Sequence, residues 1–125
     1  VYPAFTAVTG LSITINLTAN ATVQFWSTGS LETTSGVNGG SGCHVQVFNN
    51  GVGINSSLQT VDVVDPGGYT GTIAPWSVSG YQVLTPGAYT YTVRACKYAF
   101  DNFYAGGNTT SPVPNEGTLI VHVYY

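Results

Sequence analysis

Charge is what this sequence has least of. Only 6% of its 125 residues are charged, whereas an ordinary soluble domain carries about 25%. Arg94 and Lys97 are the only basic residues, and the formal net charge at pH 7 is −3. Nucleic acids are normally bound by clustered lysine and arginine, and anionic membranes attract basic segments. The composition therefore argues against both as partners, and serine, threonine, asparagine and glutamine must keep the protein in solution.

Long apolar stretches are also missing. No segment is apolar for long enough to span a bilayer, so no direct membrane insertion is expected, and Val1 is not followed by the basic and apolar regions of a signal peptide. Methionine is absent, whereas threonine, asparagine, glycine and tyrosine are abundant. These features predict one domain over residues 1–125, cut from a longer exported protein and located extracellularly or at the cell surface.

Cysteine is scarce, and the two present predict a disulfide. In an exported protein, a Cys43–Cys96 bond would close a loop of about 50 residues and stabilise the fold by about 4 kcal/mol. Cys43 falls among the apolar residues of its strand, but Cys96 falls with Thr90, Thr92 and Arg94. The bond therefore needs a β-bulge near Cys96 or a sheet edge there; otherwise both thiols stay free.

Helical periodicity does not occur, and alternation of apolar and polar residues predicts strands throughout. The clearest strand follows the Pro86-Gly87 turn, where Tyr89, Tyr91 and Val93 alternate with polar residues. Further strands are predicted at residues 11–18, 21–28, 43–48, 52–55, 58–64, 69–74, 76–84 and 117–125.

Glycine, proline and asparagine predict the connections between these strands. Asn50-Gly51 is typical of a tight hairpin, and a hairpin through residues 17–21 is the shortest link between the first two strands. Pro75 separates two strands and belongs at a sheet edge or a bend, because it cannot donate to a ladder. Residues 29–42 are rich in glycine and serine and predict a long exposed loop. Eight or nine short strands without a helix predict an all-β protein, an antiparallel β-sandwich of jelly-roll or immunoglobulin-like type.

Residue types that carry catalysis or bind metals are isolated. His44 and His122 have no ligand at metal-binding spacing beyond Cys43, which alternation sends to the opposite face from His44. No nucleophile-elbow sequence occurs, and Gly51-Val-Gly53 lacks the third glycine and the helix of a phosphate-binding loop. We therefore expect no catalytic residue, metal or cofactor, and a protein that is not an enzyme.

An aromatic segment after the clearest strand is the candidate ligand-binding site. Aromatic planes beside an amide and a carboxylate can stack on and hydrogen-bond to sugars or protein surfaces. The alternative is that these rings close one end of the sandwich or contact another subunit. The candidate residues are Tyr98, Phe100, Asp101, Asn102, Phe103 and Tyr104.

The final strand is less polar on its second side than a solvent-facing strand should be. Leu119, Val121, Val123 and Tyr125 share one side, and Ile120, His122 and Tyr124 share the other. A strand that is apolar on both sides is usually covered on both. This pattern predicts that Ile120, His122 and Tyr124 form a subunit interface.

Three segments carry a resemblance to a known group of domains: Trp76-Ser-Val-Ser-Gly, Leu84-Thr-Pro-Gly-Ala-Tyr-Thr-Tyr-Thr-Val-Arg-Ala and Glu116-Gly-Thr-Leu-Ile-Val-His-Val. With them the chain resembles C1q/TNF-like jelly-roll heads at the C-terminus of bacterial collagen-like surface proteins and phage tail fibres. The resemblance implies a jelly roll, favoured here over an immunoglobulin-like sandwich, and a homotrimer whose last strand lies near the three-fold axis. The Leu-x-Pro-Gly-x-Tyr pattern is similar also to the penultimate strand of fibronectin-type and immunoglobulin-like sandwiches.

Three functions remain open at this point. The first hypothesis is a non-enzymatic extracellular head or adhesion domain that trimerises and recognises a glycan or a protein receptor. The second is a monomeric, immunoglobulin-like structural module of a surface layer or filament. The third is the carbohydrate-binding module of a secreted enzyme.

Overall fold

The structure is a computed structural model that describes residues 4–33, 40–64, 72–100, 103–105 and 117–125. Among these residues, nine strands and one short 3-10 helix form, and the predicted all-β class is confirmed. The elements are β1 (Thr6–Leu17), β2 (Ala21–Thr33), β3 (Gly40–Asn49), β4 (Val52–Gly53), the 3-10 helix (Asn55–Ser57), β5 (Gln59–Val64), β6 (Ile73–Leu84), β7 (Gly87–Phe100), β8 (Phe103–Ala105) and β9 (Thr118–Tyr124).

Two antiparallel sheets pack against each other, which confirms the predicted β-sandwich. In the five-stranded sheet the order is β1–β7–β3, and both β4 and β5 pair with the remaining edge of β3. In the four-stranded sheet β2 is central, with β6 along one edge and β9 and β8 along successive parts of the other. Membership of the jelly-roll rather than the immunoglobulin-like type stays a prediction.

The core lies between the sheets and is built by the period-2 alternation of the longest strands. Val23 and Phe25 of β2 and Tyr91 and Val93 of β7 are fully buried. The rings of Phe25 and Tyr91 meet across the two sheets with centroids 5.7 Å apart. Full burial of a side chain of this size stabilises the fold by about 2 kcal/mol. Alternation therefore fixes which side of each strand faces solvent.

The hairpin predicted at residues 17–21 is wrong. Leu17 ends β1 in the five-stranded sheet, where β1 pairs with β7. Ala21 begins β2 in the four-stranded sheet, where β2 pairs with β6. Both residues are buried, so the short connection crosses from one sheet to the other above the core instead of joining two paired strands.

The long exposed loop predicted at residues 29–42 is wrong at both of its ends. Strand β2 continues to Thr33 and β3 begins at Gly40, and the positions between them lie outside the described residues. Gly29 is compatible with a strand because the Trp76 ring packs over it, and a Cβ there would lie 2.1 Å from Trp76 Cζ2. Tertiary packing outweighs the low strand propensity of glycine.

Two predicted strand boundaries also change. Pro75 does not separate two strands. It lies within β6, an edge strand, opposite Ser30 of β2, and a missing N–H is tolerated at a sheet edge. Residues 69–71 lie outside the described part. The strand predicted at 52–55 shortens to two residues and continues as the 3-10 helix. The buried Ser57 hydroxyl there accepts a hydrogen bond of 3.0 Å from the Val47 N–H.

The predicted disulfide between Cys43 and Cys96 does not form, and both thiols are free and buried. In the ladder between β3 and β7, Cys96 lies opposite His44, whereas Cys43 lies opposite Lys97. Directly opposed residues share a face of the sheet and successive residues alternate. Cys43 therefore faces the core and Cys96 faces the other side. The β-bulge in this ladder lies between Gly42 and Cys43. It comes after Cys96 along β7 and therefore does not bring the two sulfur atoms to the same face of the sheet.

Candidate functional site

The outer side of the four-stranded sheet carries a continuous set of exposed aromatic and aliphatic side chains, which we call the aromatic face. Several of them are large and unusually accessible for their type: the exposed fraction is 67% for Tyr81, 50% for Tyr124 and 37% for Trp26. The aromatic face comprises Trp26, Tyr81, Val83, Ile120, His122 and Tyr124.

Strand pairing orders these residues in rungs that run across β6, β2 and β9. Each rung takes one outward residue from each of the three strands. The rungs are Ser77–Thr28–Thr118, Ser79–Trp26–Ile120, Tyr81–Gln24–His122 and Val83–Thr22–Tyr124. Hydroxyl and amide groups are thus interspersed among the rings, and none of these twelve residues is an acid, a lysine or an arginine.

Three of the rings form a row. The centroids of Trp26 and His122 lie 5.2 Å apart with an angle of 75° between the ring planes, an edge-to-face contact. His122 and Tyr124 follow at 6.4 Å and 59°. Aromatic pairs at such distances stabilise each other's orientation, so the row presents a fixed surface to solvent.

The inward residues of the same strands hold the aromatic face in place. Phe25, Ser27 and Trp76 are buried, and the Trp76 indole N–H donates a hydrogen bond of 3.1 Å to Ser27 Oγ. At Gly80 a Cβ would lie 2.6 Å from Phe25 Cζ, so the glycine leaves room for that ring. A register slip by one residue would place the rings of the aromatic face in the core. The buried side chains therefore fix the register that places these rings on the outer side.

The predicted interface residues belong to the aromatic face. Ile120 is 45% exposed and His122 is also exposed, while Leu119, Val121 and Val123 on the other side of β9 pack against the core. Nothing in the described part of the chain covers Ile120, His122 and Tyr124. Their role as a subunit interface stays a prediction.

The predicted ligand-binding segment is divided between the two sheets. Tyr98 lies on β7 in the five-stranded sheet, whereas Phe103 and Tyr104 lie on β8 in the four-stranded sheet. Phe103 is half-buried against the core, and Tyr104 is 46% exposed. The side chain of Phe100, and Asp101 and Asn102 entirely, lie outside the described residues. Ligand binding by this set stays a prediction.

Tyr98 joins a polar cluster on the outer side of the five-stranded sheet. Its ring stacks on His44 with centroids 4.7 Å apart and an interplanar angle of 21°, and its hydroxyl donates a hydrogen bond to Asp62 Oδ1. His44 Nδ1 lies 3.0 Å from Thr60 Oγ1. The ring fits because residue 42 is glycine: a Cβ there would lie 2.5 Å from Tyr98 Cζ.

Phe103 and Tyr104 border a cavity of about 440 Å³. It lies between the first residues of β1, the end of β7 and β8, with Cys96 and Lys97 in its wall. A volume of this size is within the range of small-molecule pockets. Residues 1–3, 101–102 and 106–116, which adjoin these walls in sequence, lie outside the described residues.

Two buried titratable side chains, Cys43 and Tyr91, belong to the hydrophobic core. Burial raises the pKa of the Cys43 thiol from 9.0 to about 12, with the nearby Cys96 as a second cause. Burial also raises the pKa of Tyr91 to about 12, and its hydroxyl donates a hydrogen bond of 2.9 Å to Gln82 Oε1. Both groups therefore stay neutral at physiological pH. Among the described residues, no group of three or more His, Cys, Asp and Glu side chains could hold a metal ion.

Sequence reasoning missed Trp26 and Tyr81 as candidate site residues. The signal that could have found Trp26 is its position beside Gln24 on the polar side of an alternating strand, where an aromatic residue is unexpected. Tyr81 could not be linked to it, because the pairing of β2 with β6 brings together residues far apart in sequence, such as Gln24 and Tyr81.

Comparisons with protein-family models, with curated proteins and with solved structures find no match to this chain. No helix in the described part is long and apolar enough to cross a membrane.

Proposed function

We propose that this chain is a non-enzymatic recognition module of an exported protein, an extracellular head or adhesion domain that binds a glycan or receptor through the aromatic face. The observation that carries the proposal is the exposure of Trp26, Tyr81 and Tyr124 within four rungs that contain no acid, lysine or arginine; Glu32 lies further along β2 on the same side, opposite Ile73 and Tyr104. Single exposed apolar residues are common, but a contiguous set marks an interaction surface.

The architecture supports a binding role for this face. Tyrosine and tryptophan contribute large contact areas at a small cost in conformational entropy, since each has only two side-chain torsions. Here the contacts of Trp26 with His122 and of His122 with Tyr124 order the rings before a partner arrives. Pre-ordered groups lose less entropy on binding, which raises affinity.

A second candidate uses the same face for assembly into a homotrimer. It is favoured by the exposure of Ile120, His122 and Tyr124 on β9. The unpaired edge of β9 lies beside them, since β9 pairs only with β2 among the described strands. Edge strands without charge or proline readily contact another chain.

Light scattering of the purified domain at micromolar concentration separates the two candidates. A mass near 13.1 kDa leaves the aromatic face free for an external ligand and supports the first. A mass near three times that value, reduced to the monomer mass by Ile120→Lys but not by Asn16→Lys on the other sheet, supports the homotrimer. A glycan and receptor binding screen then tests recognition. If a monomer binds nothing, or if Trp26→Ala and Tyr81→Ala leave binding unchanged, the proposal is wrong.

A further inference from the structure

We infer that the ligand of the aromatic face is a neutral polysaccharide in a flat, extended chain, of the class formed by β-1,4-linked hexoses or N-acetylhexosamines. This inference rests on the proposed recognition function and specifies its ligand class. It is carried by the charge, the spacing and the polar composition of the rungs.

Charge excludes acidic glycans from this face. None of the twelve rung residues is a lysine or an arginine, and the chain's two basic residues, Arg94 and Lys97, both lie on β7 in the other sheet. A uronate or sulfate placed on the aromatic face would lose hydration without gaining a cation. The absence of acidic residues at the same positions equally disfavours a basic partner. A neutral ligand is the one that matches.

Spacing favours an extended ligand rather than a single sugar. Trp26 and Tyr81 lie one strand and one rung apart, and Tyr81 and Tyr124 lie two strands and one rung apart. Strand geometry places the Cα atoms of these pairs roughly 8–12 Å apart. This separation is comparable to the two-sugar repeat of an extended β-1,4-linked chain. The direction from Trp26 to Tyr81 and the direction from Tyr81 to Tyr124 are nearly perpendicular on the sheet, so a straight chain follows one of these pairs, and two of its sugars can each meet a ring.

The mixture of groups matches the two kinds of surface that such a chain presents. The axial C–H bonds of a β-linked pyranose give it an apolar face that packs on an aromatic ring, as other apolar surfaces do. Its equatorial hydroxyls point sideways, where Gln24 supplies both a donor and an acceptor between Tyr81 and His122, and Ser79 supplies a hydroxyl beside Trp26. The outward residues of all four rungs are exposed or half-buried, so a long chain can reach them, including one at the surface of an insoluble fibre.

The test is retention of the full 125-residue chain on microcrystalline cellulose and on chitin, with calorimetric titration of cellohexaose and chitohexaose. We expect binding to at least one of these ligands and none to polygalacturonate or hyaluronate. Tyr81→Ala and Trp26→Ala should each weaken binding roughly tenfold, whereas Tyr81→Trp should retain it. Asn16→Ala, on the outer side of the five-stranded sheet, is the matched control and should bind as the unaltered chain does. Circular dichroism establishes that each variant is folded.

Other outcomes overturn the inference in distinguishable ways. Binding to an acidic glycan overturns the neutral-chain assignment but leaves recognition through the aromatic face standing. Binding lost in Tyr104→Ala and unchanged in Tyr81→Ala and Trp26→Ala overturns both this inference and the proposed function of the aromatic face. If a monomeric chain binds neither cellulose nor chitin, neither hexaose, and neither of the two acidic glycans, the inference is overturned. The proposed function then depends on the receptor screen. A trimer that binds none of these glycans and buries the aromatic face between its subunits supports the assembly candidate. That result overturns both this inference and the first candidate.

Discussion

Trp76 is among the largest fully buried side chains, and its one polar atom has a single partner in the core. The indole N–H donates a hydrogen bond of 3.1 Å to Ser27 Oγ, and Ser27 is 1% exposed. We expect Ser27→Ala to lower the free energy of unfolding by about 1–3 kcal/mol, because the N–H would be left unsatisfied away from water. Urea denaturation measures this cost.

Two further variants isolate the cause. Ser79→Ala removes an exposed hydroxyl on the outer side of the same sheet. Its effect on the free energy of unfolding should be close to zero. Ser27→Ala introduced together with Trp76→Phe should cost little beyond Trp76→Phe alone, since no donor is then orphaned. A full cost for Ser27→Ala in the Trp76→Phe background would show that the hydrogen bond is not the reason.

Cys43 makes stability depend on pH in the alkaline range. Burial raises its pKa from 9.0 to about 12, so above pH 9 the unfolded chain loses a proton that the folded chain keeps. The contribution of Cys43 to the free energy of unfolding should be constant below pH 9 and fall between pH 9 and pH 12, by up to about 1.4 kcal/mol per pH unit for one group. Tyr91, shifted from 10.0 to about 12 for the same reason, adds to the fall above pH 10.

Guanidinium unfolding at several pH values, with reductant present, measures this dependence. Cys43→Ala should unfold with a shallower loss of stability between pH 9 and pH 10, where Tyr91 contributes least. The same slope in both proteins would mean that the Cys43 thiol titrates alike when folded and unfolded.

Among single elements, the turn between β3 and β4 is joined to β7 by the side chain of Asn50 as well as by the backbone, where the Asn50 N–H donates to the Thr90 carbonyl at 2.9 Å. Asn50 has a positive φ of 48° and Gly51 one of 81°. The Thr90 N–H donates to Asn50 Oδ1 at 2.8 Å, and Asn50 Nδ2 donates to the Ala88 carbonyl at 3.2 Å. Asn50→Gly keeps the backbone conformation but removes both bonds, so we expect a loss of about 1 kcal/mol in thermal or urea unfolding.

Gly51→Ala supplies the complementary measurement. Nothing lies within 4 Å of a Cβ at this position, so its cost, also about 1 kcal/mol, would come from the positive φ alone. Asn50→Asp retains the acceptor for Thr90 and should fall between the unaltered chain and Asn50→Gly. Equal stability of Asn50→Gly and the unaltered chain would show that the two side-chain bonds contribute nothing.

Strands were predictable where apolar and polar residues alternate within one continuous segment. The period-2 patterns placed strands at β1, β5, β7 and β9 and the tight turn at Asn50-Gly51, because side-chain direction in a strand depends only on sequence parity. The connection at residues 17–21 was not predictable in this way. Whether two successive strands pair or separate into different sheets depends on contacts that parity does not contain.

The candidate site was predictable only in part for the same reason. The second apolar side of β9 pointed to Ile120, His122 and Tyr124, since those residues share one short strand. Trp26 and Tyr81 complete the aromatic face from two other strands, and their proximity follows from the pairing of β2 with both β6 and β9. Cys96 shows the opposite error: it is buried on the side of β7 that the polar residues of that strand indicated as exposed.

At the scale of the whole molecule, solubility depends on few charges. The net charge is −3 at pH 7 and the isoelectric point is about 4.8, so near pH 4.8 electrostatic repulsion between molecules is weakest. Most of the large exposed apolar side chains that could then drive association lie on one side of the sandwich, while Val52, Leu58 and Val64 are exposed elsewhere. Self-association near the isoelectric point should therefore be specific to the aromatic face and not a general property of a weakly charged chain.

Two single lysine substitutions separate these causes, because both add one positive charge and shift the isoelectric point equally. Tyr81→Lys places the charge on the aromatic face, whereas Asn16→Lys places it on the exposed outer side of the five-stranded sheet. We expect the light-scattering second virial coefficient of the unaltered chain to be lowest near pH 4.8. At the isoelectric point of each variant, Tyr81→Lys should raise the coefficient and Asn16→Lys should leave it unchanged. If neither variant raises it at its own isoelectric point, where the net charge of each is zero, net charge alone governs association, and the aromatic face has no particular tendency to bind a surface.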